Sequence, residues 1–130
     1  MERLKELELL YVEDDTETRE FVSAILRRRF KTIHTAENGK IGLELFKKHK
    51  FPLIITDIKM PVMSGVEMIE QIRKDQSVSP LVVVTTAHRE RELHSPLADI
   101  HLFKPIDVYE LLNTTLSLLD QRTVFNVTSA

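Results

Sequence analysis

Four short clusters carry side chains that could do chemistry together: the acidic run Glu13-Asp14-Asp15, the single Asp57, the hydroxyl pair Thr85-Thr86, and Lys104-Pro105. Carboxylates crowded to within about 5 Å repel by roughly 3 kcal/mol at an effective dielectric near 20, so a cluster of them calls for a cation. A divalent ion with a preference for oxygen fits, magnesium first, because one or two carboxylates plus waters and phosphate oxygens commonly hold it. Lys104 adds a fixed positive charge and Thr86 a hydroxyl donor. Such a set can hold a tetrahedral dianion beside a metal, the apparatus of phosphoryl transfer. An Asp carboxylate can itself be the nucleophile and form an acyl phosphate. Taken singly, each cluster has a plainer reading. The acids suit a helix N-terminus, Asp57 a loop or cap, Thr86 a strand end and Lys104 a solvated turn. Their joint occurrence carries the functional reading, provided the fold brings them to one place.

The elements that must do so follow from the hydrophobic pattern. Short apolar or β-branched runs at Leu7 to Val12, Thr32 to Thr35, Leu53 to Thr56, Leu81 to Thr85 and Ile100 to Phe103 predict five strands. Those near the middle lack polar alternation, as in a parallel sheet covered on both faces. Helical spacing fills the gaps: Phe21, Val22, Ile25 and Leu26 within Thr16 to Arg29; Ile41, Leu45 and Phe46 within Lys40 to Lys48; Val66, Ile69 and Ile72 within Gly65 to Lys74, with Ser64 as N-cap. The last helix starts at Asp107 and Glu110 and carries Val108, Leu111, Leu112, Thr115, Leu118 and Leu119. The stretch from Arg89 to Ala98 is polar and broken by Ser95-Pro96, leaving room for a short helix at most. Five strands alternating with five helices predict a doubly wound α/β domain with right-handed crossovers. In such a sheet ligands bind at the carboxyl ends of the strands. All four clusters fall there.

These residues match a family. The chain resembles the receiver domain of bacterial two-component response regulators from Leu7 to about Leu119. The match lies in Leu10-Tyr11-Val12-Glu13-Asp14-Asp15, Asp57-Ile58-Lys59-Met60-Pro61-Val62-Met63-Ser64-Gly65, Thr86-Ala87 and Lys104-Pro105. The Asp57 segment follows the family's D-x-x-M-P-x-M-x-G pattern throughout and is the specific part. The resemblance implies a five-stranded sheet in the flavodoxin-like order 2-1-3-4-5, here with a shortened fourth helix. It implies Asp57 as phosphoacceptor, Asp14 as a direct magnesium ligand, Glu13 acting through a metal-bound water, and the Lys59 backbone carbonyl completing the protein's share. It also implies that Thr86 hydrogen-bonds the phosphoryl group, that Lys104 pairs with it, and that the Lys104-Pro105 bond is cis. The partner implied is a sensor histidine kinase or phosphotransfer protein. The domain would be a regulatory phosphoacceptor that assists its own phosphorylation and dephosphorylation, not an enzyme acting on other substrates.

Two departures fall on the output face. Where the family usually has Tyr or Phe three residues before the lysine, this chain has His101, and the Thr86 to Lys104 segment is about one helical turn short. His88, two residues after Thr86, borders the phosphoryl position in the family and reads equally well as an exposed loop histidine. His34, His49 and His94 lack ligand spacing and are read as surface residues; Met60, Met63 and Met68 are read as packing. A pseudo-receiver interaction module is the alternative the fold allows. A magnesium-dependent aspartyl-phosphate hydrolase fits less well, since its usual second Asp would fall at Lys59. A flavin-binding domain lacks its phosphate loop after the first strand.

Composition limits the remaining classes. The 130 residues make one domain, read as 1–121 with 122–130 as a tail or the start of a linker. There are no cysteines, which excludes disulfides, zinc-thiolate sites and thiol nucleophiles. A net charge of −2 gives no footprint for direct nucleic-acid binding. The first segment is too charged and too short in its apolar run for a signal peptide or a membrane span, so a cytoplasmic protein is expected. Oligomeric state is left open.

Overall fold

The computed structural model describes residues 2–87 and 94–129, and the side chains of 4–87 and 94–121. Five parallel strands, β1 Glu8–Val12, β2 Thr32–Ala36, β3 Leu53–Asp57, β4 Leu81–Ala87 and β5 Ile100–Lys104, form one sheet in the order β2-β1-β3-β4-β5. The described helices are α1 Thr16–Leu26, α2 Gly39–His49, α3 Gly65–Arg73 and α4 Val108–Ser129, with a 3-10 turn at Glu2–Glu6.

Successive strand residues point to opposite faces, and both faces are apolar. Leu9, Tyr11, Leu53, Ile55, Leu81 and Val83 pack with Val22 and Leu26 of α1 and Leu111, Leu112 and Leu119 of α4. Leu10, Val12, Ile54, Val82 and Val84 pack with Phe46 of α2 and Met68, Ile69 and Ile72 of α3. Every residue of β3 is buried, as the continuous apolar run predicts, whereas the edge strand β2 is mostly half-exposed. Helix starts are set by side-chain caps, each worth about 1 kcal/mol. Asp15 caps α1, Asn38 caps α2, and Ser64 caps α3 in a reciprocal capping box with Glu67.

The structure departs from the sequence reading in two places along α1. Helix α1 ends at Leu26, and Arg27 to Phe30 form a tight turn whose N–H groups bond to the carbonyls of Ser23, Ile25 and Leu26. Phe21, predicted on the buried face, is 68% exposed. One residue is 100° of helix, and that rotation takes Phe21 off the line of Val22 and Leu26. Four helices are described, and the expected fifth lies in part outside the described residues. The shortened fourth helix expected within Arg89 to Ala98 falls partly on residues 88–93, outside the described residues, as does His88; residues 94–99 are irregular, with turn and bend at 96–99. The histidines read as surface residues also make ring contacts. His34 lies 4.8 Å from His49 and 5.1 Å from Phe51 between ring centroids, and His94 stacks on His101 at 4.5 Å and 13°.

The connection 94–99 is tied down by polar contacts. Arg73, the last residue of α3, donates to the Leu97 carbonyl through Nε at 3.1 Å and Nη2 at 3.0 Å, and to the Pro80 carbonyl through Nη1 at 2.8 Å. It also pairs with Asp99 at 3.2 Å, whose carboxylate accepts from the Val82 N–H at 2.7 Å. At the start of β5, His101 Nε2 accepts from the Ser95 N–H at 3.1 Å. Burial, and then the neighbouring His94, lower the His101 pKa below its ordinary value.

Candidate functional site

β1 and β3 are neighbours at the centre of the sheet, with Val12 opposite Thr56 as their last pair, so the next residues, Glu13 and Asp57, emerge side by side. β4 continues the row with Thr85 opposite Asp57, and β5 ends with Lys104 opposite Ala87. Adjacent strands are about 4.8 Å apart, which is why four separate sequence clusters reach one cleft. The cleft has a volume of about 670 Å³, and Glu13, Asp14, Asp57, Lys59, Met60 and Lys104 are among its lining.

One carboxylate oxygen each from Glu13, Asp14 and Asp57 lie within 4.8 Å of one another. Glu13 is fully buried and Asp57 nearly so, at 6% exposure, while Asp14 is exposed. Lys104 Nζ bridges the two buried acids, at 2.6 Å from Glu13 Oε1 and 2.9 Å from Asp57 Oδ2. Three carboxylates against one ammonium leave a formal charge of −2. Burial raises the Glu13 pKa above the usual carboxylate range, against the hydrogen bonds from Lys104 and the Asp15 N–H. Burial pulls Lys104 down, but its hydrogen bonds to Glu13 and Asp57 outweigh that and hold its pKa above the ordinary lysine value. The other Asp57 oxygen, Oδ1, accepts from the Ile58 N–H at 2.8 Å, which fixes the plane of the carboxylate.

Thr86 is buried with no hydrogen-bond partner for its hydroxyl, and the following residue, Ala87, lines the cleft. Asp15 also lines the cleft, but its carboxylate is engaged as the cap of α1, where it accepts from the Thr18 N–H. The Lys104-Pro105 bond is cis. Gly65 approaches the site so closely that a Cβ there would lie 2.1 Å from the Asp57 carbonyl oxygen, so only glycine fits.

Two contributors carried no local signal in the sequence. Arg19 Nη1 donates to the Glu13 carbonyl at 2.7 Å and holds the acidic turn from the first coils of α1. Tyr11 lies beneath the carboxylates, fully buried, with no protein partner for its hydroxyl. Burial, then the charges of Glu13 and Asp57, push the phenol pKa up, so the group stays protonated. In the sequence Arg19 reads like any other charged residue on the exposed face of α1, and nothing in a β1 aromatic distinguishes Tyr11 from core.

A parallel sheet in this order, with an acidic cleft at its carboxyl ends, defines a receiver-type α/β domain. The response regulator receiver domain family matches residues 9–116, and the chain belongs to that family. It is similar to the response regulator ArlR of Staphylococcus aureus, 30% identical over 115 residues, covering 86% of this chain and 52% of ArlR. It thus spans about half the length of that relative. Among solved structures, the N-terminal domain of an uncharacterized protein from Wolinella succinogenes is 33% identical, with a TM-score of 0.76 over 91% of this chain and 98% of that one. The response regulator TrrA from Thermotoga maritima, solved with Mg(2+)-BeF, is 31% identical, with a TM-score of 0.74 over 86% of this chain and 98% of that one.

Proposed function

We propose that this receiver domain, taken as residues 1–121 with 122–130 as a tail or linker into which α4 continues as far as Ser129, is a phosphoacceptor switch that takes a phosphoryl group on Asp57. The observation that carries this is the −2 cluster of Glu13, Asp14 and Asp57 around Lys104. Its all-oxygen donor set and residual charge suit magnesium. Asp14, Asp57, the Lys59 carbonyl and, through a water, Glu13 would hold the ion, which when bound neutralises charge on the acceptor and on the incoming phosphoryl oxygens. TrrA, solved with Mg(2+)-BeF, supports that choice.

The chain's own groups divide the work. The Ile58 N–H orients the Asp57 carboxylate for attack on phosphorus. The P–N bond of a phosphohistidine breaks as the new C(O)O–P bond forms, and the imidazole leaves with the electron pair. Lys104 exchanges its contact with Asp57 for one to the transferred group, and the unpartnered Thr86 hydroxyl has a donor to offer it. The domain thereby assists both its phosphorylation and its dephosphorylation.

The donor is a sensor histidine kinase or phosphotransfer protein. A groove of about 550 Å³ lined by Phe21, Val22, Lys104, Pro105 and Ile106 adjoins the cleft and offers it an apolar landing. The domain is proposed to work in the cytoplasm; no helix among the described residues is long and apolar enough to cross a membrane. The test is intact-protein mass spectrometry with magnesium and a small phosphoramidate donor: wild type gains one phosphoryl group and Asp57→Asn gains none. Equal labelling of both would remove Asp57 from the reaction.

A further inference from the structure

The loop between β3 and α3 contains a backbone conformation that its sequence disfavours. Val62 has a φ of 69°, and the Met63 N–H donates to the Pro61 carbonyl at 2.8 Å, closing a three-residue turn around it. Turns of this hand are rare and strained, and a β-branched side chain aggravates the strain. The other positive φ among described non-glycine residues is at Lys50, where an unbranched side chain ends α2 in an ordinary left-handed cap. Packing does not repay Val62, which is 75% exposed.

The surrounding structure imposes the turn. The Gly39 N–H donates to the Met63 carbonyl at 2.9 Å, the Gly65 N–H to the Ile58 carbonyl at 2.7 Å, and Ser64 is locked in the capping box of α3. The same loop supplies Lys59, Met60 and Pro61 to the cleft. A strained, unpacked apolar side chain therefore stands on a rigid support at the rim of the phosphoacceptor site. Asparagine or glycine would adopt this backbone at lower cost. Strain kept at such a place points to function, since folding gains nothing from it.

We infer that Val62 is a specificity-determining contact for the protein phosphodonor: its side chain meets an apolar patch on the protein that carries the phosphohistidine, and it takes no part in the chemistry at Asp57. This rests on the phosphoacceptor reading and adds to it the residue that separates protein donors from small ones. A protein is the occupant because the apolar rim is discontinuous. Pro61 lines the acidic cleft with the exposed Val62 next to it in the chain, whereas the exposed Phe21 and Ile106 line the adjoining groove. Only a donor broad enough to cover both uses Val62, whereas a small phosphoramidate reaches Asp57 without touching it.

The experiment compares wild type with Val62→Asn, which relieves the backbone, and Val62→Thr, which keeps the branched shape and the strain but replaces a methyl with a hydroxyl. Each is given magnesium and phosphoramidate, and separately the purified autophosphorylated histidine kinases of the source organism, one by one. The expected result is unchanged phosphoramidate labelling in both variants and transfer from the preferred kinase slowed about five- to tenfold in both, as for loss of one interfacial apolar contact. The melting temperature should rise by about 3–5 °C for Val62→Asn only. Wild-type transfer to Val62→Asn would overturn the inference. So would an equal loss of phosphoramidate labelling, which would place Val62 in the site itself. If no kinase transfers to wild type while phosphoramidate labels Asp57, docking by a protein donor is wrong but the acceptor stands. If wild type takes no label from either source, the phosphoacceptor reading fails first.

Discussion

The two ends of β5 are held by opposite means. At its carboxyl end Lys104 sits among carboxylates that repel one another, and the arrangement is balanced only in part, with a formal −2 remaining. At its amino end the connection from β4 carries no such tension. Arg73 reaches the carbonyls of Leu97 and Pro80 and the carboxylate of Asp99, and Ser95 donates to His101. The cleft is thus a place where unfavourable energy waits for a cation, and the connection is a place where polar contacts fix a chain with little apolar surface. A ligand should change the first strongly and the second only through β5.

Breaking the cleft should give the largest effect. Lys104→Ala leaves Glu13 and Asp57 facing each other without their shared ammonium. The metal-free protein should lose about 2–3 kcal/mol, below the usual cost of breaking a fully buried pair because Lys104 is part-exposed. Magnesium should recover much of that loss. Urea unfolding with and without magnesium measures both, and equal stability of variant and wild type in metal-free buffer would show that the ion pair contributes nothing.

Breaking the connection should cost less and should not respond to metal. Arg73→Ala removes the donor to two carbonyls and a carboxylate, for about 2 kcal/mol, and Arg73→Lys should fail to restore it because one ammonium cannot reproduce a planar fork. Amide exchange should rise at residues 94–99 while magnesium affinity stays unchanged. A magnesium-dependent recovery here would erase the distinction between the two ends.

The smallest effect sharpens the comparison through pH. The folded His101 pKa lies below the ordinary 6.5, so as pH falls the unfolded chain takes up this proton first. The contribution is fully present above 6.5 and is lost as pH drops through the folded value. Protonation would also set an N–H on Nε2 against the Ser95 N–H. In His101→Phe the fall in melting temperature between about pH 7.5 and about pH 5.5 should be shallower than in wild type. An identical fall would remove His101 from the pH response.

The same contrast decides what the sequence could reveal. The strand order is non-local and came only with the family resemblance, whereas the strands, the apolar faces and the Ser64 cap depend on local pattern and were legible. So was the cleft, because the side chains at strand ends have types that phosphoryl chemistry needs and the Asp57 segment follows a specific motif. The connection was not. Its contacts join residues 24 and 26 apart through a guanidinium, and a polar stretch gives no periodicity from which to read them. Phe21 misled for a related reason: an aromatic next to Val22 matches a buried stripe until the helix's rotation is fixed by its packing. The His34–His49 contact joins an edge strand to a helix end, which no spacing rule announces.

The Lys104 bridge also bears on how the chain assembles. Lys104 lies 91 residues from Glu13 and 47 from Asp57, so the counter-charge arrives from the far end of the sheet. Closing such long loops carries an entropic cost that grows slowly with length, and it is met only when β5 docks beside β4. A chain that stops short of residue 104 can lay down β1, β3 and β4, yet it holds the acceptor carboxylate without its ammonium. The Lys104 contacts are therefore a record of completed assembly: truncated or half-synthesised products carry an acidic patch that the whole domain neutralises in part.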